Sequence, residues 1–355
     1  MTLKPRIVVA DDSAFMRRLL SGSLEKLGCD VVGVGCDGDE ALALCERLRP
    51  DVMTLDLAMP GRDGISVLRA LREAESPIPV VVVSAFSPAH GARAVDALAE
   101  GAFELVSKPA AGEPFETFVA DLDEKVKAAA ANRRPAGSHR SAPAAPPATQ
   151  PPVRPGTPPW RSARPNAKSP LVLIACSTGG PRALADLVPK LPAPLGAGAL
   201  IVQHMPPGFT GSLATRLDNA SRLSVREAID GDAIAPSVAL LAPGGKHLRL
   251  NGDRRAHLST EPAVGGLRPR ADLTIRDAAE RWRERLVLVV LTGMGRDGLD
   301  GARAVREHGG RILVEAESSC TVYGMPRAIA DAGLADDVLD LSLLPAAIVA
   351  AAAVV

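Results

Sequence analysis

The sequence predicts an α/β protein built from two parallel-sheet domains, and three observations carry that expectation. Residues 6–127 alternate short apolar runs with amphipathic helical stretches. Residues 131–168 lose that periodicity and fill with Pro, Ala, Ser and Arg. From residue 169 the apolar runs return, and several end in a polar, glycine-containing turn. Strands that alternate with helices of this length imply a parallel sheet covered on both faces. The expected organisation is a five-stranded (βα)5 domain over 1–130, a Pro/Ala-rich linker over 131–168, and a doubly wound, mostly parallel α/β domain over 169–355.

In the first domain, residues 6–10 form the opening strand. Residues 14–27 follow as a helix, with Phe15, Leu19, Leu20, Leu24 and Leu27 at helical spacing. Strands are expected at 31–34, 51–55, 79–83 and 103–106, and helices at 40–48 and about 115–130. The linker lacks the apolar content to bury a core, so an extended chain is expected there. Trp160 is its odd residue, either a lone exposed aromatic or one that docks on a domain. In the second domain strands are expected at 171–175, 199–202, 238–241, 286–291, 311–314 and 338–341, and residues 346–355 read as a last helix or a frayed tail.

Composition narrows the function. Lys+Arg and Asp+Glu are 41 each, so no global field draws the chain to nucleic acid or anionic lipid. Aromatics make up 3% of residues, too few for base-stacking platforms. No apolar run has the length of a membrane span, and no signal-peptide pattern opens the chain. The five cysteines, Cys29, Cys36, Cys45, Cys176 and Cys320, form no C-x-x-C pair, which suits a reducing cytoplasm.

In open parallel sheets the site lies at the carboxyl ends of the strands. In the first domain those ends carry Asp11 and Asp12, Asp56, Ser84 and Lys108. Three carboxylates at one rim repel each other unless a hard divalent cation sits between them. A lysine and a hydroxyl beside them suit a phosphoryl group on one aspartate. Any single acidic residue at a strand end reads more readily as a solvated helix cap. All five on the correct ends are much harder to produce by chance.

This arrangement resembles the receiver domain of two-component response regulators over residues 6–127. The resemblance implies that Asp11, Asp12 and Asp56 bind Mg²⁺ and that Asp56 accepts phosphate from a histidine kinase, with Ser84 and Lys108 contacting the phosphoryl group. Receivers often carry an aromatic three residues before the lysine; here that position is Leu105.

The second domain opens on LVLIACSTGGP, residues 171–181, a buried-strand pattern that breaks directly into a helix start with Pro181. Ser177 at that break is either a helix cap or a nucleophile beside unpaired helix N–H groups. That turn does not itself carry G-x-G-x-x-G, which weakens a dinucleotide-binding reading of it. His204, in QHMPPGFT, and Asp297, in TGMGRDG, also follow apolar runs and should face the same rim. A serine needs a base near neutral pH, and imidazole needs an acceptor on its far nitrogen. His247, in APGGKH, competes with His204, and Asp297 could be a turn residue before Gly298.

CSTGGP, QHMPPGFT, APGGKH, TGMGRDG and VYGMPRA together resemble the catalytic domain of the protein-glutamate methylesterase/glutaminases of bacterial chemotaxis. With the receiver and linker, the resemblance spans the whole chain. It implies Ser177 as nucleophile, His204 as base and Asp297 as orienting acid, with Thr178 lining the site and backbone N–H groups near Met294 holding the oxyanion. It also implies that the catalytic domain needs no cofactor. Methylated chemoreceptors become the expected substrate and a chemotaxis histidine kinase the phosphodonor. Neither nucleic-acid binding nor direct membrane insertion is expected, and the expected state is a cytoplasmic monomer. The unphosphorylated receiver is expected to cover the cleft until phosphate on Asp56 disfavours that state.

Two departures stand out. The family often has His-Arg-Pro-Ser where this chain reads Leu267-Arg268-Pro269-Arg270, and Gln-Asp-Glu where it reads Glu315-Ala316-Glu317. A second reading is a non-catalytic response regulator acting as phosphate sink or binding module. A DNA-binding output is disfavoured, since the second half lacks a basic recognition helix.

Overall fold

Continuous apolar runs, rather than alternating ones, mark strands buried on both faces. The computed structural model describes residues 4–85, 88–109, 114–132, 169–252 and 254–353, with backbone alone at 88–90. The chain falls into two compact units, on either side of residues 133–168. The expected linker beyond its first two residues, and Trp160 within it, lie outside the described residues.

The N-terminal unit is a five-stranded parallel sheet of order β2-β1-β3-β4-β5. Its elements are β1 (Arg6–Ala10), α1 (Ala14–Lys26), β2 (Asp30–Gly35), α2 (Gly38–Leu48), β3 (Val52–Leu55), α3 (Gly64–Glu73), β4 (Val80–Ser84), α4 (Pro88–Ala99), β5 (Glu104–Ser107) and α5 (Phe115–Ala131). The strands shift from expectation by at most two residues at an end. Val8, Val9, Met53, Leu55, Val81 and Val106 are fully buried in them. Helix starts follow local chemistry. Ser13 Oγ accepts from Met16 N, Asp37 from Asp39 N and Glu40 N, and Asp63 from Ser66 N, each satisfying an orphan donor. With β1 and β3 paired in register, Asp11 and Asp56 leave the sheet side by side.

The C-terminal unit holds a seven-stranded sheet of order β14-β13-β12-β6-β7-β9-β8. It comprises β6 (Leu171–Cys176), α6 (Gly180–Leu187), β7 (Ala199–Gln203), α7 (Phe209–Ala220), β8 (Ser224–Glu227), β9 (Val238–Leu241), β10 (His247–Leu250), β11 (Ala256–Ser259), α8 (Ala271–Trp282), β12 (Leu286–Val290), α9 (Leu299–Glu307), β13 (Arg311–Glu315), α10 (Met325–Asp331), β14 (Asp337–Leu339) and α11 (Leu344–Ala353). Every pairing in this sheet is parallel; the antiparallel pair β10–β11 stands apart as a hairpin. The chain runs outward from β6 through β7 to one edge, then returns to β12 and runs to the other edge. The crevice at β6 is therefore the switch point where such sheets place ligands. The core below it joins strands to helices through Leu173, Ile275, Ala278, Trp282, Leu288 and Ile329. Among the described residues, no helix is long and apolar enough to cross a membrane.

Candidate active site

The carboxyl ends of β6, β7 and β12 converge at the switch point. Cys176 pairs with Gln203 in register, and His204 N donates to Cys176 O at 3.1 Å. Ser177 and His204 are therefore the first residues off adjacent parallel strands. Buried Gln203 laces the two ends together, its Nε2 donating to the carbonyls of Ser177 (3.0 Å) and His204 (2.8 Å). Its Oε1 accepts from Cys176 Sγ. A Cβ at Gly180 would fall 1.9 Å from Gln203 Oε1, so only glycine lets α6 start this close to the strand ends. On the other side of β6, Ser177 N donates to Thr292 O at 3.0 Å, tying the nucleophile candidate to the loop after β12.

His204 Nε2 lies 2.7 Å from Asp297 Oδ2. Asp297 is sunk into the start of α8, where Oδ2 accepts from Ala271 N (2.6 Å) and Oδ1 accepts from Asp272 N (3.0 Å) and Gly298 N (2.9 Å). Burial alone would raise its pKa, but the bonds from His204 and these amides prevail and hold the carboxyl below the ordinary carboxylate range. An ionised carboxylate only accepts, so the imidazole must present Nε2–H to it. That leaves Nδ1 as the acceptor facing away from Asp297. Among the described residues, no hydrogen bond joins Ser177 Oγ to His204. The structure brings His204 and Asp297 into contact and sets Ser177 on the neighbouring strand end.

His247 is fully buried, with Nδ1 accepting from Arg270 N and Nε2 on Pro262 O, both at 3.2 Å, so it is a satisfied core histidine. The turn expected around it leads instead into the β10–β11 hairpin. Burial pushes the Cys176 thiol up, so the residue before Ser177 stays protonated. Thr178 is buried, its carbonyl accepting from Thr292 Oγ1 at 2.9 Å. Met294 is half-buried on the loop after β12. Among the described residues, the backbone N–H groups of Thr178 and Met294 have no hydrogen-bond partner, whereas Ser177 N is already committed.

Several residues at this rim escaped the sequence reading. Asp272 mirrors Asp297, accepting from Gly298 N (2.9 Å) and Gly301 N (2.8 Å) at the start of α9. Asp297 thus caps α8, in whose first turn Asp272 lies, and Asp272 caps α9, which follows Asp297. Burial first, then the neighbouring Asp297, raises the Asp272 carboxyl. Arg270 clamps both, with Nη2 2.8 Å from Asp272 Oδ2 and Nε 3.3 Å from Asp297 Oδ1. The only signal in the sequence was an acidic residue in a helix's first turn. The second departure is structural: buried Glu315 receives Thr292 N (2.8 Å) and Ser319 Oγ (2.9 Å), and burial raises its carboxyl despite them.

In the N-terminal unit, Lys108 Nζ bridges Asp11 Oδ2 (2.8 Å) and Asp56 Oδ2 (2.9 Å). Ser84 is buried at the end of β4, and Asp12 is exposed. Carboxylate oxygens of Asp11, Asp12 and Asp56 lie within 4.8 Å of one another. Burial raises the Asp11 carboxyl even with Lys108 beside it, and its Oδ2 has no aligned hydrogen bond. For Lys108, burial pushes downward, but the two carboxylates prevail and the ammonium is stabilised. Three hard oxygen donors with one under-satisfied fit a small divalent cation. Leu105 is buried in β5, so no aromatic rotamer stands at that position.

Both units match known families. Residues 172–348 match the CheB methylesterase family and residues 7–119 the response regulator receiver domain. The protein-glutamate methylesterase/protein-glutamine glutaminase of Symbiobacterium thermophilum is 43% identical over 97% of this chain and 96% of its own. A similarly named protein of Myxococcus xanthus is 44% identical over 94% and 93%. The crystal structure of the Thermotoga maritima CheB methylesterase catalytic domain matches 51% of this chain and 98% of its own, at 42% identity and a TM-score of 0.50. The chain belongs to the CheB methylesterase family, in the form that carries an N-terminal response regulator receiver.

Proposed function

We propose that this chain is a phosphorylation-activated serine hydrolase that demethylates glutamyl methyl esters, and deamidates glutamines, on bacterial chemoreceptors. The observation that carries the reading is the ionised Asp297 fixing His204 beside Ser177 at the switch point, in a chain whose full-length relatives bear that name.

Ser177 Oγ attacks the ester carbonyl while His204 Nδ1 takes its proton. Asp297 stabilises the imidazolium and holds its orientation. The N–H groups of Thr178 and Met294 receive the tetrahedral oxyanion. Collapse expels methanol, or ammonia from glutamine, with the proton returned by His204. Water then hydrolyses the acyl-enzyme by the same proton path and leaves glutamate.

In the receiver, Asp56 accepts the phosphoryl group from a chemotaxis histidine kinase, with Ser84 and Lys108 contacting its oxygens. Asp11, Asp12 and Asp56 would hold Mg²⁺, which when bound neutralises charge on the phosphoryl oxygens. The reading takes the chain as a cytoplasmic monomer with its chemistry regulated from Asp56.

The test is methanol release from methylated receptor membranes, with and without a small phosphodonor. Ser177→Ala should lower release by at least about 10⁴-fold, and the phosphodonor should raise the wild-type rate. Methanol release that survives in Ser177→Ala would refute the assignment.

A further inference from the structure

A cleft of about 370 Å³ lies between α9 and α10, walled by Arg296, Leu299, Arg303, Gly324, Arg327 and Asp331. Three guanidinium groups against one carboxylate give its lining a formal charge of +2, in a chain whose net charge is 0. Arg303 pairs with Asp300 (2.6 Å) and Arg327 with Asp331 (3.3 Å), all four side chains roughly half exposed or more. Such exposed pairs are worth about 0–1 kcal/mol, so a ligand carboxylate exchanges into them readily. Arg296 has no ion-pair partner among the described residues.

The cleft adjoins the proposed active site. Arg296 immediately precedes Asp297. Gly324 N donates to Gly293 O at 3.1 Å, and a Cβ at Gly293 would lie 2.9 Å from Ser177 Cβ. One wall therefore rests on the loop that flanks the nucleophile. A protein substrate that offers one side chain to Ser177 must lay its neighbouring residues along an adjoining surface. Residues one helical turn away sit about 5.4 Å along that surface.

We propose that this arginine cleft docks carboxylates flanking the reacting side chain, so that the enzyme selects acidic protein segments. This rests on the esterase reading above and names the substrate chemistry that reading leaves open. Arginine suits the task because its planar fork pairs two N–H groups with one carboxylate. The reaction itself turns a neutral ester into a carboxylate. A segment already hydrolysed at a neighbouring position is thus held more tightly than a fully esterified one, and the first ester on a segment is the slowest to go.

The test uses the full chain carrying Arg303→Glu and Arg327→Glu together. For methylated receptor membranes KM should rise about tenfold with kcat unchanged, and turnover of a small neutral glutamyl methyl ester should stay at the wild-type rate. The wild-type KM should climb with salt and the variant's should not. A second measurement is independent of turnover. With Ser177→Ala in the background, a labelled glutamate-rich helical peptide should bind about tenfold more weakly to the charge-reversed chain than to its parent. An unchanged KM with equal peptide affinity overturns the cleft, as does an equal fall in receptor and small-ester turnover. Failure of the wild-type chain on every ester would instead sink the esterase reading, and peptide affinity would still decide the cleft.

Discussion

Both sites sit at the carboxyl edge of a parallel sheet and centre on buried aspartates, yet the two edges treat the carboxylate in opposite ways. Asp297 receives three backbone N–H groups and an imidazole, and its pKa is held below the ordinary carboxylate range, so it stays charged. Asp11 is as deeply buried but has one backbone N–H and a shared lysine, and its carboxyl is raised. Donor count decides between them, not residue type or burial. A saturated carboxylate is a fixed orienting charge. An under-satisfied one stays easy to protonate, because the shared Lys108 offsets only part of its burial and of its repulsion with Asp56.

The largest effect should come from unsettling the saturated edge. Asp297→Asn keeps the shape but lets the amide face the imidazole with a donor, so kcat for receptor demethylation should fall about 10³–10⁴-fold. Because the Asp297 pKa is lowered on folding, its stabilisation is present above the unfolded value of about 3.9 and is lost as pH falls through the folded value. The Tm deficit of Asp297→Asn should therefore be full at neutral pH and shrink in strong acid. An unchanged kcat would reduce Asp297 to a helix cap.

The opposite sign is expected at the under-satisfied edge. An acid whose pKa is raised on folding favours the fold at low pH and weakens it as pH rises through the folded value. Asp11→Asn, without Mg²⁺ at neutral pH, should raise the receiver transition of the full chain by about 3–5 °C in calorimetry. It should also abolish the stabilisation Mg²⁺ gives the wild-type chain. A lower Tm without Mg²⁺ would mean Lys108 already compensates that charge in full.

The smallest change is Arg270→Ser, which opens the clamp over Asp272 and Asp297 but leaves both helix caps in place. The arginine is only 21% exposed and both carboxylates are buried, but each keeps its backbone N–H donors, so about 1–3 kcal/mol should be lost, with kcat reduced only severalfold. A collapse of activity on the scale of Asp297→Asn would show that the clamp, rather than the amides, sets the carboxylate's charge.

Legibility followed the range of the interactions. Strands such as β1, β6 and β12 announce themselves as unbroken apolar runs, and the rim residues follow them at once. Edge strand β8, Ser-Val-Arg-Glu, carries one buried apolar residue and gave no such run. The hairpin β10–β11 hid because its apolar side chains face α8 rather than a sheet core; Leu250 N even donates to Asp277 at 2.9 Å. The reciprocal caps could not be read, since Asp272 and Asp297 stand 25 residues apart and only the packing of α8 on α9 joins them. Gln203 and Glu315 stood in motifs the sequence singled out, but their roles could not be read there: a buried polar side chain shows its purpose only with its partners.

The shared duty of Asp297 bears on how this fold can drift. A descendant that abandoned hydrolysis would lose nothing in folding by shedding its hydroxyl at 177. It would still need the carboxylate at 297 to seat the helix that opens at Ala271. Retention of that aspartate in a distant cousin therefore says little about chemistry, whereas under the proposed mechanism the serine is the side chain whose loss records retirement from it.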